Sequence, residues 1–267
     1  MSKPIFFTDL DQTMIFSRRM IEKYTGSYNG LAVVETHLEQ PWSFMTIDAV
    51  NVLQTLSREI TVVPCSTRSP SQWDKLGLHN VIHKYTILDN GGKIYVNGRE
   101  DKSWTRKTFD LIDTQATSPA KVSEEITKEF GEEDWFSRIR VISNMFVSAR
   151  SSSEIPASFL VWIEEKIVEW NYSLSIQLKN DGIYLIPKPV SKEAGAAEVK
   201  GREAGERTFA AGDSILDLKM MEEATHAIRP AHGELYELGL GADIKVTTKS
   251  GVRAGEQILE YVKLLLT

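Results

Sequence analysis

The sequence predicts an α/β protein, an open parallel sheet flanked by helices and interrupted by an inserted α+β unit. Short apolar runs recur at Ile5-Phe6-Phe7-Thr8, Ile60-Thr61-Val62-Val63, Tyr85–Leu88 and Thr208–Ala211, the pattern of strands buried on both faces. Each run halts at a polar cluster: Asp9-Leu10-Asp11, Ser66-Thr67-Arg68, Asp89-Asn90-Gly91-Gly92 and Gly212-Asp213. The C-terminal ends of parallel strands are where such sheets bind ligands. Between Thr117 and Pro187 the texture changes to helix, two strands, helix, two strands, which marks a second, smaller unit.

Composition sets the outer bounds. A chain of 267 residues exceeds the usual single-core size. With 42% hydrophobic and 25% charged residues it belongs among soluble globular proteins. No apolar run approaches the roughly 20 residues of a membrane helix, and Met-Ser-Lys-Pro leads into a strand instead of a signal peptide. A cytoplasmic location is expected, with no membrane partner. The single cysteine, Cys65, excludes an internal disulfide framework and fits a reducing compartment. A net charge of -6 argues against nucleic acid as a partner, because phosphate backbones are gripped by basic surfaces. It leaves room for a small phosphorylated ligand in a locally positive pocket.

The first strand delivers two carboxylates, Asp9 and Asp11, at its end, which suits a nucleophile or metal ligand paired with a proton donor. Residues 14–44 contain Arg18, Arg19, the turn residues Gly26, Asn29 and Gly30, and apolar runs at Leu31–Val34 and Trp42–Met45. This predicts a hairpin-like flap, placed to cover the site or simply a surface hairpin. Thr46 is a candidate N-cap for a helix carrying Val50, Leu53 and Leu56 at helical spacing. After the second strand, Ser66, Thr67 and Arg68 place two hydroxyls and a guanidinium where they can hold phosphate oxygens. Cys65 suggests a thiolate phosphatase loop, but that loop needs Arg at position 71, which is Ser71.

Within the insertion, Val122, Ile126 and Phe130, then Phe159, Ile163 and Ile167, have helical spacing, and Asp181-Gly182 signals a hairpin turn. Trp162 and Trp170 are expected in its core. His79 and His83 lack a third ligand nearby and are expected in a surface turn, and Glu132-Glu133-Asp134 in a solvated loop. The α/β pattern resumes with Ser191 as N-cap and Lys192 in a helix's first turn, where a cation opposes the helix dipole unless an anion sits alongside. A helix starting near Ser214 puts Asp213 and Asp217 about one turn apart, so a cluster with Asp9 and Asp11 is possible. Such a cluster repels itself without a cation, and hard oxygen ligands favour Mg²⁺.

These stretches, Asp-x-Asp-x-Thr at 9–13, Ser66, Lys192 and Gly-Asp-x-x-x-Asp at 212–217, together resemble the haloacid dehalogenase (HAD) superfamily of aspartyl-phosphate enzymes. The insertion is similar to the family's C2-type cap in its sugar-phosphatase-like branch, with Asn90-Gly91 matching the turn before it. The flap end Ser43-Phe44-Met45-Thr46 also looks like HAD proteins found alongside tellurium-resistance genes. Thr67 stands where Gly is usual, and Leu216 where Asn commonly precedes the last Asp.

The resemblance implies a Rossmann-like core at residues 1–92 and 188–267 and a cap at 93–187 over the strand ends. It further implies a Mg²⁺-dependent phosphatase acting on a small phosphorylated metabolite. In that scheme Asp9 is the nucleophile and Asp11 the acid and base. Ser66 and Lys192 bind the phosphoryl group, Thr67, Arg68 and Asn90 contact substrate, and Asp9, the Asp11 carbonyl, Asp213 and Asp217 serve the metal. A dehalogenase would not need Asp11. A phosphomutase and a catalytically idle binding protein stay open at this point.

Overall fold

In a computed structural model, which describes residues 3–79, 81, 84–177 and 182–266, the chain forms two compact units. One runs up to Asp101 and resumes at Lys192; the other is Lys102–Ser191. The first is built on a five-stranded parallel sheet in the order Lys245–Val246, His226–Arg229, Thr208–Ala211, Ile5–Thr8, Thr61–Pro64. Ile5 pairs with both Thr208 and Thr61, and Thr8 with both Ala211 and Pro64. Ile5–Thr8 is therefore central and fully buried, which its unbroken apolar run requires. The chain's next parallel strand lies on one side of it and the later strands on the other, so Asp9 emerges at a topological switch point.

The helix Ile47–Glu59 buries Ala49, Leu53 and Leu56, and Val252–Leu266 buries Ile258, Leu259 and Val262. Both stripes join Phe6, Leu10, Val62 and Phe209 in one apolar core. Thr46 caps the first of these helices, its hydroxyl accepting the Ala49 N–H at 3.0 Å. Tyr85–Leu88 extends the strand row through a parallel bridge between Ile87 and Cys65. It turns at Asp89-Asn90-Gly91, all with positive φ, into the antiparallel strands Lys93–Val96 and Arg99–Glu100.

The flap region is more than a hairpin. Leu31–His37 and Gln40–Thr46 pair antiparallel, as expected, but Phe16–Ser17 adds a third strand and Arg18–Tyr24 is helical. Met20 and Ile21 anchor that helix in a small cluster with Phe16, Phe44 and Val252.

Lys102–Ser191 has a four-stranded antiparallel sheet, Tyr172–Gln177, Gly182–Pro187, Phe146–Ser151, Phe136–Ile142 in spatial order. The helices Pro119–Phe130 and Ala157–Trp170 share its core with Val147, Ile183, Leu185 and Trp170. Trp162 packs against that core, and Glu132–Asp134 are exposed. A helix at Lys102–Gln115 precedes this repeat and was not expected. Its buried stripe, Trp104, Thr105, Thr108 and Ile112, is half threonine and so hides the apolar period. Boundaries expected at 92/93 and 187/188 fall instead at 101/102 and 191/192. Lys93–Glu100 stays with the first unit because its strands pair back onto Tyr85–Leu88. Asp181 and His83 lie outside the described residues; His79 is exposed, its ring edge-on to Trp73. Among the described residues, no helix is long and apolar enough to cross a membrane.

Candidate active site

Asp9 follows the central strand, its N–H donating to the Ala211 carbonyl at 2.9 Å. Asp213 follows the neighbouring Thr208–Ala211 strand, and Asp217 lies in the first turn of the helix Ile215–Glu222. Ligand oxygens of Asp9, Asp213 and Asp217 lie within 4.8 Å of one another, all three residues buried. Parallel pairing of the two strands in register brings these distant stretches together.

Lys192 completes the cluster. It is 1% exposed, so the solvated lysine of a simple surface helix is excluded. Its Nζ donates to Asp9 Oδ1 and to Asp217 Oδ1, each at 2.6 Å. These carboxylates are the anions that a lysine in a first helical turn demands. Burial alone would lower the lysine's pKa, but Asp217 and Asp9 outweigh it and hold Lys192 above its ordinary value. The ammonium is the firm charge of the cluster, because two carboxylates share it. Burial raises the Asp9 carboxyl, Lys192 pulls it down and Asp217 and Asp11 push it back up, which leaves it at about 7. Asp213 is raised well above the carboxylate range by burial, then by Asp9 and Asp217.

Asp217 orders this corner. Its Oδ2 accepts the N–H groups of Asp213 and Ser214 and the Ser214 hydroxyl, at 3.2, 3.0 and 2.9 Å. Gly212 is required there, since a Cβ would fall 2.2 Å from that of Asp217. Gly233, at φ +88°, passes so close to Asp213 that a Cβ would sit 2.5 Å from Oδ2. No hydrogen bond reaches the Asp213 carboxylate from the described residues. A buried acceptor with no donor, beside two more carboxylates and a backbone loop, is the oxygen set a hard divalent cation takes.

Asp11 stands apart from that triad. Its side chain is 51% exposed and is gripped by Arg68, Nε to Oδ2 at 2.7 Å and Nη2 to Oδ1 at 2.8 Å. Arg68 was expected to contact substrate, yet its remaining fork goes to Glu35 of the flap, Nη1 to Oε1 and Nη2 to Oε2, both 3.0 Å. Burial would lower the guanidinium's pKa, but Asp11 and Glu35 hold it above its ordinary value.

Ser66 is buried, its Oγ accepting the Arg68 N–H at 3.1 Å, and its carbonyl accepts the Asn90 N–H at 2.9 Å. Thr67, between them, is partly exposed. Cys65 is buried, and burial pushes its thiol far up, away from the thiolate form that nucleophilic attack needs. Two residues of this neighbourhood escaped the sequence reading. Glu35 is one; the other is His232, whose Nε2–H donates to the Gln12 carbonyl at 2.8 Å. Neither carries a local signal, because Arg68 is 33 residues from Glu35 and Gln12 is 220 from His232.

No family model matches the sequence, and no curated protein matches it. Solved structures do. Sucrose-phosphatase from Synechocystis sp. PCC6803, in complex with sucrose and phosphate, superposes with a TM-score of 0.67 at 14% identity over 99% of this chain and 98% of that one. A trehalose-6-phosphate phosphatase related protein gives 0.58 at 15% identity, covering 98% of both chains. A haloacid dehalogenase-like hydrolase from B. subtilis gives 0.60 at 14% identity over 97% and 99%. Over nearly its whole length, the chain has the fold of the haloacid dehalogenase-like hydrolases.

Proposed function

We propose that the protein is a Mg²⁺-dependent phosphatase that hydrolyses a small phosphorylated metabolite, a sugar phosphate, through an aspartyl phosphate on Asp9. The observation that carries this reading is the Asp9–Lys192–Asp217 ion-pair cluster, with Asp213 beside it, at the ends of two adjacent parallel strands. Support for the substrate class comes from the sucrose-phosphatase and the trehalose-6-phosphate phosphatase related protein that share the fold.

The carboxylates of Asp9 and Asp213 and the Asp11 carbonyl would hold the cation, with Asp217 fixing the loop that bears Asp213. Bound there, the cation neutralises charge between the carboxylates and the phosphate dianion. Asp9 forms a bond to phosphorus as the bond to the leaving oxygen breaks, and Asp11 gives that oxygen a proton. Water then attacks the phosphoryl group, Asp11 takes its proton, and the Asp9–phosphorus bond breaks. Lys192 has used two of its three N–H groups on Asp9 and Asp217, which leaves one for a phosphoryl oxygen. Ser66, on the segment after the strand Thr61–Pro64, would be the second donor.

The test is phosphate release from an aryl phosphate and a panel of sugar phosphates, with Mg²⁺ or with chelator. Release that needs Mg²⁺ and disappears in Asp9→Asn is expected. Undiminished release in excess chelator would defeat the reading. With sugar phosphates, transfer to a second hydroxyl instead of phosphate release would make the protein a mutase.

A further inference from the structure

We infer that Glu35, on the flap hairpin, is a positioning residue that fixes the acid and base Asp11 through Arg68. The inference rests on the phosphatase reading for the role of Asp11, but its geometry stands independently of that reading.

Strand alternation would not aim Glu35 inward. Val34 and Glu35 are both buried although they are consecutive, because the pairing of Leu31–His37 with Gln40–Thr46 shifts register on each side of Glu35. A bulge of this kind re-aims one side chain, and here it turns a carboxylate under the flap. There the Ser43 hydroxyl donates to Glu35 Oε2 at 2.5 Å, and Arg68 delivers two N–H groups. Glu35 is 7% exposed, and a carboxylate so buried persists only where paired and hydrogen-bonded.

Arg68 is held from three sides. Its N–H donates to Ser66 Oγ, its carbonyl accepts the Asp89 N–H at 3.0 Å, and Glu35 takes one edge of the guanidinium. The other edge grips both oxygens of Asp11. A planar guanidinium forked to two carboxylates sets their relative orientation as well as their distance. Asp11, half open to solvent, would otherwise sample several rotamers. General acid–base catalysis needs one geometry. Glu35 touches neither Asp11 nor the buried carboxylate cluster by any hydrogen bond or ion pair among the described residues, so it acts through Arg68.

The test is a mutant cycle. Glu35→Gln keeps the shape but loses the charge and one fork contact. With an alkyl phosphate its kcat is expected to fall about 10-fold, less than the roughly 10² to 10⁴-fold that general catalysis contributes in full, because Asp11 is loosened and not removed. With an aryl phosphate, whose leaving group departs without a proton, the burst should fall about 2-fold at most. KM should stay within about 2-fold for both. In an Asp11→Asn background, Glu35→Gln should leave the residual rate unchanged, because effects routed through one group do not add.

Equal losses for both leaving groups, or full additivity on Asp11→Asn, would overturn the inference. Should Glu35→Gln fold poorly, Ser43→Ala, which removes only the hydroxyl on Glu35, is expected to give the same pattern at smaller amplitude; no effect on the aryl-to-alkyl ratio there would equally overturn it. A second readout needs no turnover: the Arg68 Nε–H NMR signal should be protected from solvent exchange in the wild type and lose protection in Glu35→Gln. Protection unaltered by Glu35→Gln would refute the positioning role. A wild type that releases no phosphate yet shows this change would sink only the phosphatase reading.

Discussion

Asp9 and Asp11 are two residues apart, yet their surroundings differ. Asp9 is 5% exposed, bonded to Lys192 and raised to about 7, chiefly by burial. Asp11 is half exposed and forked to Arg68. On the phosphatase reading proposed above, Asp9 is the nucleophile and Asp11 the proton carrier, so the two substitutions have different consequences. Asp9→Asn should therefore eliminate phosphoenzyme with every substrate, since an amide cannot carry the phosphoryl group. Asp11→Asn should instead show a burst of aryl alcohol followed by a slow steady state. Its nucleophile is intact, but the water that clears the phosphoenzyme has lost its base, a loss of about 10² to 10⁴-fold. Rapid-quench measurement of the burst checks both, and an Asp11→Asn enzyme without a burst would return Asp11 to a structural role.

At the scale of elements, the turn after Asp11 is held by the loop that follows the strand His226–Arg229. Gln12 has φ +64°, and its carbonyl accepts from His232 Nε2, while the Gly251 N–H donates to His232 Nδ1 at 3.1 Å. Both ring nitrogens are used in the neutral form, and Phe16 and Tyr24 pack against the ring. Burial lowers the His232 pKa to about 4, with Lys23 assisting and the Gln12 carbonyl opposing. Between pH 6.5 and about 4 the unfolded chain binds a proton that the native state refuses. Stability should thus fall as pH drops through this window, by up to about 3 kcal/mol from this one group. Urea unfolding across the window should show a shallower pH dependence in His232→Gln, and identical slopes would refute the assignment.

The same elements show what the sequence made legible. Ile5–Thr8, Tyr85–Leu88 and Thr208–Ala211 are strands because their apolar runs are unbroken and end in polar turns, and both features are local. Asp9, Lys192, Asp213 and Asp217 could be grouped by motif order, and they do meet in space. Glu35 could not be found that way, because a bulge reverses the side its alternation predicts. His232 was equally hidden, since it binds main-chain groups, one of them 220 residues away. Backbone acceptors leave no trace in side-chain identity.

For the whole molecule, the buried cluster is a source of instability that a cation bound there would relieve. Asp9, Asp213 and Asp217 face a single ammonium, and Asp213 has no donor of its own among the described residues. Without metal, burial and then the Asp9 and Asp217 carboxylates hold the Asp213 carboxyl well above its ordinary range, so the native state carries a desolvation and repulsion cost that the unfolded chain does not. A cation that binds only the folded form stabilises it by about 2.7 kcal/mol at a hundred times its Kd. For a chain of this size that is a rise in Tm of about 5–10 °C, at about 2–4 °C per kcal/mol. Calorimetry with Mg²⁺ and with chelator should show the shift in the transition of the unit that carries the site. Asp213→Asn separates this account from nonspecific ion effects, because it should act with opposite signs in the two conditions. It removes repulsion, so the metal-free Tm should stay level or rise; it also removes a ligand, so the Mg²⁺-induced rise should shrink to less than about half. A variant that lost stability without metal and kept the full Mg²⁺ shift would place the cation elsewhere.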